Sequence, residues 1–149
     1  MESRQFSERV FADAETWESE RGRVVITQPV LGVIVFTYSG YATLPAVAFI
    51  EEAVDRVLAK DVRPDLFIDL DDLDGYDTAY RRAISEWGVR KLSRFGEVRV
   101  MVRSRIVAMG IAVSNLTAAN KLKPTTKRLE FDAAIEAAIA RHSIRPPPS

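Results

Sequence analysis

The sequence predicts a single small α/β domain with a mostly parallel mixed sheet of about five strands, an N-terminal hairpin and about four helices. Three observations carry that expectation. Short runs rich in Val, Ile and Phe alternate with longer stretches of helical periodicity, and strands separated by helices pair in parallel through right-handed crossovers. The chain has 149 residues, 47% of them apolar and 28% charged, which is enough for one packed core and too apolar for wholesale disorder. No internal repeat and no break in composition marks a second domain.

Val24 to Gln28 is a short β-branched run, Pro29 to Gly32 is turn-like, and Val33 to Tyr38 is a second run, so the two read as a hairpin. Gly40 breaks the strand. Thr43 precedes Leu44 and Pro45, an arrangement that suits a helix start with the hydroxyl as cap. Val47, Ile50, Val54, Val57 and Leu58 then recur at helical spacing opposite Glu51, Glu52, Asp55 and Arg56, giving a helix to about Lys60.

After Arg63 and Pro64, Leu66 to Ile68 reads as a buried strand running into Asp69, followed by a loop from Leu70 to Tyr76. Asp77 caps a helix whose inner side carries Ala79, Tyr80, Ala83, Ile84, Trp87 and Leu92, closed by Gly96. Tyr80 and Trp87 are read as core and rim residues of that helix. Val98 to Val102 alternates around Arg99 and predicts a strand with one wetter face.

Ser104 caps an expected helix from Ile106 to Leu116, and Asn115 to Lys127, containing Pro124, reads as a loop. Leu129 and Phe131 predict a brief strand, with Asp132 capping a final helix from Ala133 to Arg141. Phe6, Val10, Ala14 and Trp17 recur at helical intervals, so residues 1–22 are read as a helical extension. Residues 23–142 are the domain, and residues 143–149 a polyproline-like tail.

Several chemistries are excluded. There is no Cys, hence neither a disulfide framework nor a thiolate metal site, and the reducing cytoplasm is the expected compartment. The N-terminal residues lack the apolar run of a signal peptide, and no apolar stretch approaches the roughly 20 residues that span a bilayer. The single histidine, His142, lies at the end of the last helix, so a serine or cysteine triad with histidine as its base cannot be built elsewhere in the chain. None of the glycine-rich phosphate cradles occurs. The expectation is a binding protein without catalytic machinery and without a cofactor.

Formal net charge is zero, but the charges are segregated: residues 51–80 hold ten acids and three bases, residues 81–105 two acids and eight bases. With no net field and no reading motif, a nucleic-acid partner is not expected. Asp69, Asp71, Asp72, Asp74 and Asp77 cluster where open α/β sheets bind ligands, at the C-terminal end of a central strand. A calcium loop aligned on Gly75 fails, because Leu70 and Arg81 stand where oxygen ligands are needed. A haloacid-dehalogenase-like Asp-x-Asp is imitated by Asp69 and Asp71, but Asp72-Leu73 follows instead of Gly-Thr. A receiver-type phosphoacceptor at Asp69 would need an acidic pair after the first strand, and Val24 to Ile50 contains no acid. The plainer account of the cluster is a solvated loop and a helix cap.

From the hairpin ending in Ser39-Gly40, through Phe67-Ile68-Asp69-Leu70-Asp71, to Asp77-Thr78 at the next helix, the chain resembles the STAS superfamily of sulphate-transporter and anti-sigma-factor-antagonist domains. Arg105 to Leu116 and Phe131-Asp132 are also similar to stand-alone bacterial members, and the resemblance covers roughly residues 23 to 142. It implies a STAS-like fold and a non-catalytic module that binds a protein partner. Thr78 stands at the position of the family's phosphorylatable serine, and Tyr80 where the family has glycine. The implied partner surface is Asp71, Asp72, Asp74, Gly75, Tyr76, Asp77, Arg81 and Arg82. The alternative reading is a carrier of a small apolar molecule or lipid, similar to the CRAL-TRIO fold, with Ile106 to Leu116 lining a pocket.

Overall fold

The ten-residue strand β3 (Val33–Ala42) organises the molecule by sending Ile34, Phe36 and Tyr38 to one side and Val33 and Val35 to the other. A computed structural model describes it together with the rest of residues 14–105, 107–110 and 122–143. β2 (Gly22–Thr27) pairs antiparallel with β3 as the expected hairpin. On the other side β4 (Asp65–Leu70) runs parallel to β3, with Val35 opposite Phe67, and β6 (Val98–Val102) runs parallel to β4.

The helices α1 (Pro45–Leu58) and α2 (Thr78–Lys91) cover the Ile34 side, where Ile50, Val54, Tyr80 and Trp87 bury against the sheet. Tyr80 meets Tyr38 edge to face at 5.6 Å, and Trp87 meets Phe95 at 6.4 Å, as aromatic quadrupoles prefer. Among the described residues the opposite side carries one helix, α3 (Arg128–Ser143). Phe131 and Ala138 bury there against Val33, Phe67 and Met101. The fold class expected from sequence is the one observed.

The strand inventory is larger than expected: among the described residues the sheet has seven strands in the order β1-β2-β3-β4-β6-β7, with β5 paired to β3 off this path. β1 (Glu15–Glu18) replaces the end of the expected N-terminal helix, pairing Trp17 with Val24 of β2; Phe6 and Val10 lie outside the described residues. β5 (Leu73–Tyr76) lies within the expected loop. It forms because β3 outruns β4, leaving Gly40 to Ala42 to pair with Leu73 to Tyr76. Gly40 therefore bends β3 at a bulge instead of ending it, with a φ of 85° that favours glycine.

β7 (Lys123–Thr125) pairs parallel to β6, and Pro124 is tolerated because the strand is at the sheet's edge. The expected strand at Leu129 and Phe131 is instead the first turn of α3, so Asp132 is no cap. It sits one turn into the helix and pairs with Arg128 at 3.3 Å. At α1 the cap is Leu44, and the Thr43 carbonyl, not its hydroxyl, accepts the Ala46 amide. Ser104 does cap, accepting from the Val107 amide at 3.4 Å, and Arg105 and Val107 to Gly110 are helical. The remainder of the helix expected to Leu116, most of the Asn115 to Lys127 loop and the proline tail fall outside the described residues.

Candidate functional site

The alternation that buries Phe67 of β4 under α3 also aims Asp65 and Asp69 at that helix, since residues two apart share a face. Both carboxylates are consumed there. At the start of β4, Asp65 accepts from the Glu97 amide at 2.6 Å, from Arg141 at 3.0 Å, and lies 3.0 Å from His142 Nε2. Burial alone would raise its carboxyl, but these hydrogen bonds and the Arg141 charge outweigh burial and hold it below the ordinary carboxylate value. At the other end, Arg128 donates to both oxygens of Asp69, at 2.8 and 2.9 Å, and to Asp71 at 2.9 Å. Arg103 adds a second cation to Asp71 at 2.9 Å.

The acidic cluster therefore divides. Asp69 and Asp71 belong to the ion pairs under α3, whereas Asp72 and Asp74 are exposed on either side of Leu73. Among the described residues no three acidic, histidine or cysteine side chains converge to hold a metal. Gly75 is buried with its Cα against the Tyr41 ring, where a Cβ would stand 3.1 Å from the ring carbons. The Tyr76 carbonyl accepts from the Tyr41 hydroxyl at 3.0 Å, and Arg21 stacks on the Tyr41 ring at 3.9 Å. These contacts give β5 a defined place at the end of β3.

Asp77 caps α2 as its sequence position predicts, accepting from the Tyr80 amide at 2.6 Å with an extended backbone. Thr78 is then the first residue of the helix and is exposed; Ala79 is exposed too, and so does not belong to the inner side. Arg81 is half-buried and Arg82 exposed, three and four residues on from Thr78, so they neighbour it on the helix surface. Tyr80 is buried, and desolvation, with a smaller contribution from Tyr38, pushes its hydroxyl well above its ordinary value.

No family model and no curated protein matches the chain. Among solved structures, an uncharacterised protein from Shewanella loihica with a SpoIIAA-like fold superposes with a TM-score of 0.58 at 15% identity, over 80% of this chain and 97% of that one. The chain has a SpoIIAA-like fold. An anti-sigma factor antagonist from Mycobacterium paratuberculosis superposes with a TM-score of 0.55 at 19% identity, again over 80% and 97% of the two chains. The STAS-like resemblance read from the sequence thus holds at the level of fold.

Within the SpoIIAA-like fold, β5 and the first turn of α2 bring Asp72, Asp74, Tyr76, Asp77, Thr78 and Arg82 into one run of the surface. Sequence reasoning missed Arg128, Arg103 and Arg141, the partners of the strand's aspartates. Arg128 lies 59 residues from Asp69, and no local pattern links them. No described helix is long and apolar enough to cross a membrane.

Proposed function

We propose that this chain is a non-catalytic regulatory module that binds a protein partner through β5 and the first turns of α2, and that phosphorylation of Thr78 switches the contact. The observation that carries the reading is the placing of Thr78: exposed, at the first position of a helix already capped by Asp77, in a fold shared with an anti-sigma factor antagonist. Asp72, Asp74, Tyr76, Asp77, Arg81 and Arg82 flank it and Gly75 is buried behind them, whereas Asp71 is committed to Arg103 and Arg128. Residues 23–142 are the unit proposed to carry the function.

The physics of the switch is local. A phosphate on Thr78 adds about −1.5 to −2 charges at pH 7 beside free amides at a helix N-terminus, which favour it. Arg81 and Arg82 stand one turn away to receive its oxygens. The helix accepts the group without unfolding, while the surface presented to a partner becomes more acidic.

The test uses wild type, Thr78→Ala and Thr78→Glu as baits in an extract of the native host, with phosphosite mapping of the endogenous chain. The expected result is a partner held by wild type and Thr78→Ala and lost with Thr78→Glu, all three melting within about 2 °C of one another. Equal capture by all three, or an endogenous chain never phosphorylated at Thr78, overturns the switch.

A further inference from the structure

The inner side of α2 bounds a cavity of about 130 Å³, partly open to solvent, between the helix and the sheet. Phe36, Ile68 and Val100 line it from the sheet, Val54 from α1, and Ile84 and Gly88 from α2. The lining is almost wholly hydrocarbon, so water entering it finds few partners and gains little. A core selected only for stability fills such a space, because close packing is the rule in protein interiors.

Gly88 is the feature that keeps it open. Glycine is a poor residue for a helix interior, yet here it occupies one. No crowding requires it: a Cβ at this position would meet only Leu92, at 3.9 Å, an ordinary contact distance. The position thus sacrifices helix stability and leaves volume empty.

Arg81 is the one charged side chain among the described lining residues. It is half-buried, and among the described residues no carboxylate pairs with it, in contrast to Arg90 and Lys91 of the same helix, which lie within ion-pair reach of Glu51 and Asp55. Asp77 lies one turn before it but makes no ion pair with it, its carboxylate accepting from the Tyr80 amide instead. A cation at an apolar cavity left unpaired among the described residues suits a ligand that brings its own anion.

We propose that the cavity binds a small amphipathic monocarboxylate, its apolar body in the void and its carboxylate on Arg81. The volume sets the size: a dry apolar cavity of about 150 Å³ accommodates benzene, so the body is about six carbons. The single cation sets the charge. A dianion would bring an unmatched charge to an apolar rim, and a hydrocarbon would leave Arg81 unused. The inference concerns the unphosphorylated chain, in which Arg81 is not engaged by a phosphate on Thr78.

The test is ligand-observed NMR on the purified full chain with hexanoate and phenylacetate as probes and 1-hexanol as the neutral control. Saturable binding of hexanoate is expected, weakened about fivefold by Arg81→Gln, the reach of a solvent-screened ion pair, with 1-hexanol unaffected by that change. Gly88→Leu, which puts a side chain into the void, is expected to abolish binding of all three probes; Gly88→Ala, a smaller filling that favours the helix, weakens it and confirms the direction if the leucine variant fails to fold. No saturable binding of either acid, or binding indifferent to Gly88→Ala and Gly88→Leu, overturns the site. Equal loss of hexanoate and 1-hexanol affinity in Arg81→Gln overturns the assignment of the carboxylate.

Discussion

Replacing Asp65 by asparagine keeps the shape of the side chain and removes its charge, which isolates what the anion contributes beneath α3. Asp65 is only 7% exposed and serves three donors: the Glu97 amide at 2.6 Å, Arg141 at 3.0 Å and His142 at 3.0 Å. The Arg141 side chain is about half exposed, so water screens its share to at most about 1 kcal/mol. The amide bond weakens from the charge-assisted range of about 1.5–3 kcal/mol to about 1 kcal/mol for a neutral acceptor. The expected loss for Asp65→Asn is about 2 kcal/mol at pH 7, read as a lowered urea midpoint at constant slope. The pH dependence carries the sharper test. Because the folded carboxyl titrates below its unfolded value of about 3.9, the advantage of aspartate is complete above about pH 4 and disappears as the pH falls through the folded value. Thermal midpoints of the two proteins should therefore differ at pH 7, and the difference should shrink as the pH is lowered below about 4. A difference that stays the same size as the pH falls below about 4 would show that asparagine disturbs packing and that the charge contributes nothing.

Three further outcomes are expected. Phe131→Ala removes a fully buried ring set edge to face on Phe67 at 6.0 Å, and should cost about 3–5 kcal/mol in urea unfolding. Asp77→Ala deletes the cap of α2 and should cost about 1 kcal/mol, with hydrogen exchange accelerated first at Tyr80 and Arg81, whose amides lie in the first turn. Gly32→Ala meets two obstacles, a φ of 99° and the His142 ring where the new Cβ must go. It should destabilise by more than 1 kcal/mol, and His142→Ala should relieve part of that loss in a double-mutant cycle.

What the sequence revealed and what it concealed follow the range of the interactions. The β2–β3 hairpin, α1 and the Asp77 cap were legible because each depends on residues a few positions apart. β5 was hidden by Asp74 and Gly75, both poor strand formers; it exists because β3 extends past β4 and offers unpaired backbone to a segment some thirty residues downstream. Leu129 and Phe131 fit a strand's period as well as a helix's first turn, and three residues are too few to decide between them. The candidate surface was legible in part. Thr78 and its cap were found from local pattern, but Asp69 and Asp71 looked like free acids because their arginines come from α3 and from the residue after β6.

The two ion pairs beneath α3 also measure a length. Asp65 and Asp69 are separated by about 13 Å along a strand, whereas Arg128 and Arg141 are about 20 Å apart along a helix. Each arginine must lean inward to reach its carboxylate, one from either end. A helix displaced by one turn, about 5.4 Å, brings one guanidinium nearer and carries the other out of range. The contacts of Phe131 and Ala138 alone would tolerate sliding, because apolar attraction has little directionality. The opposed pairs act as a gauge that admits one setting of α3 on the sheet, so an insertion or deletion within the helix should be felt at both of its ends at once.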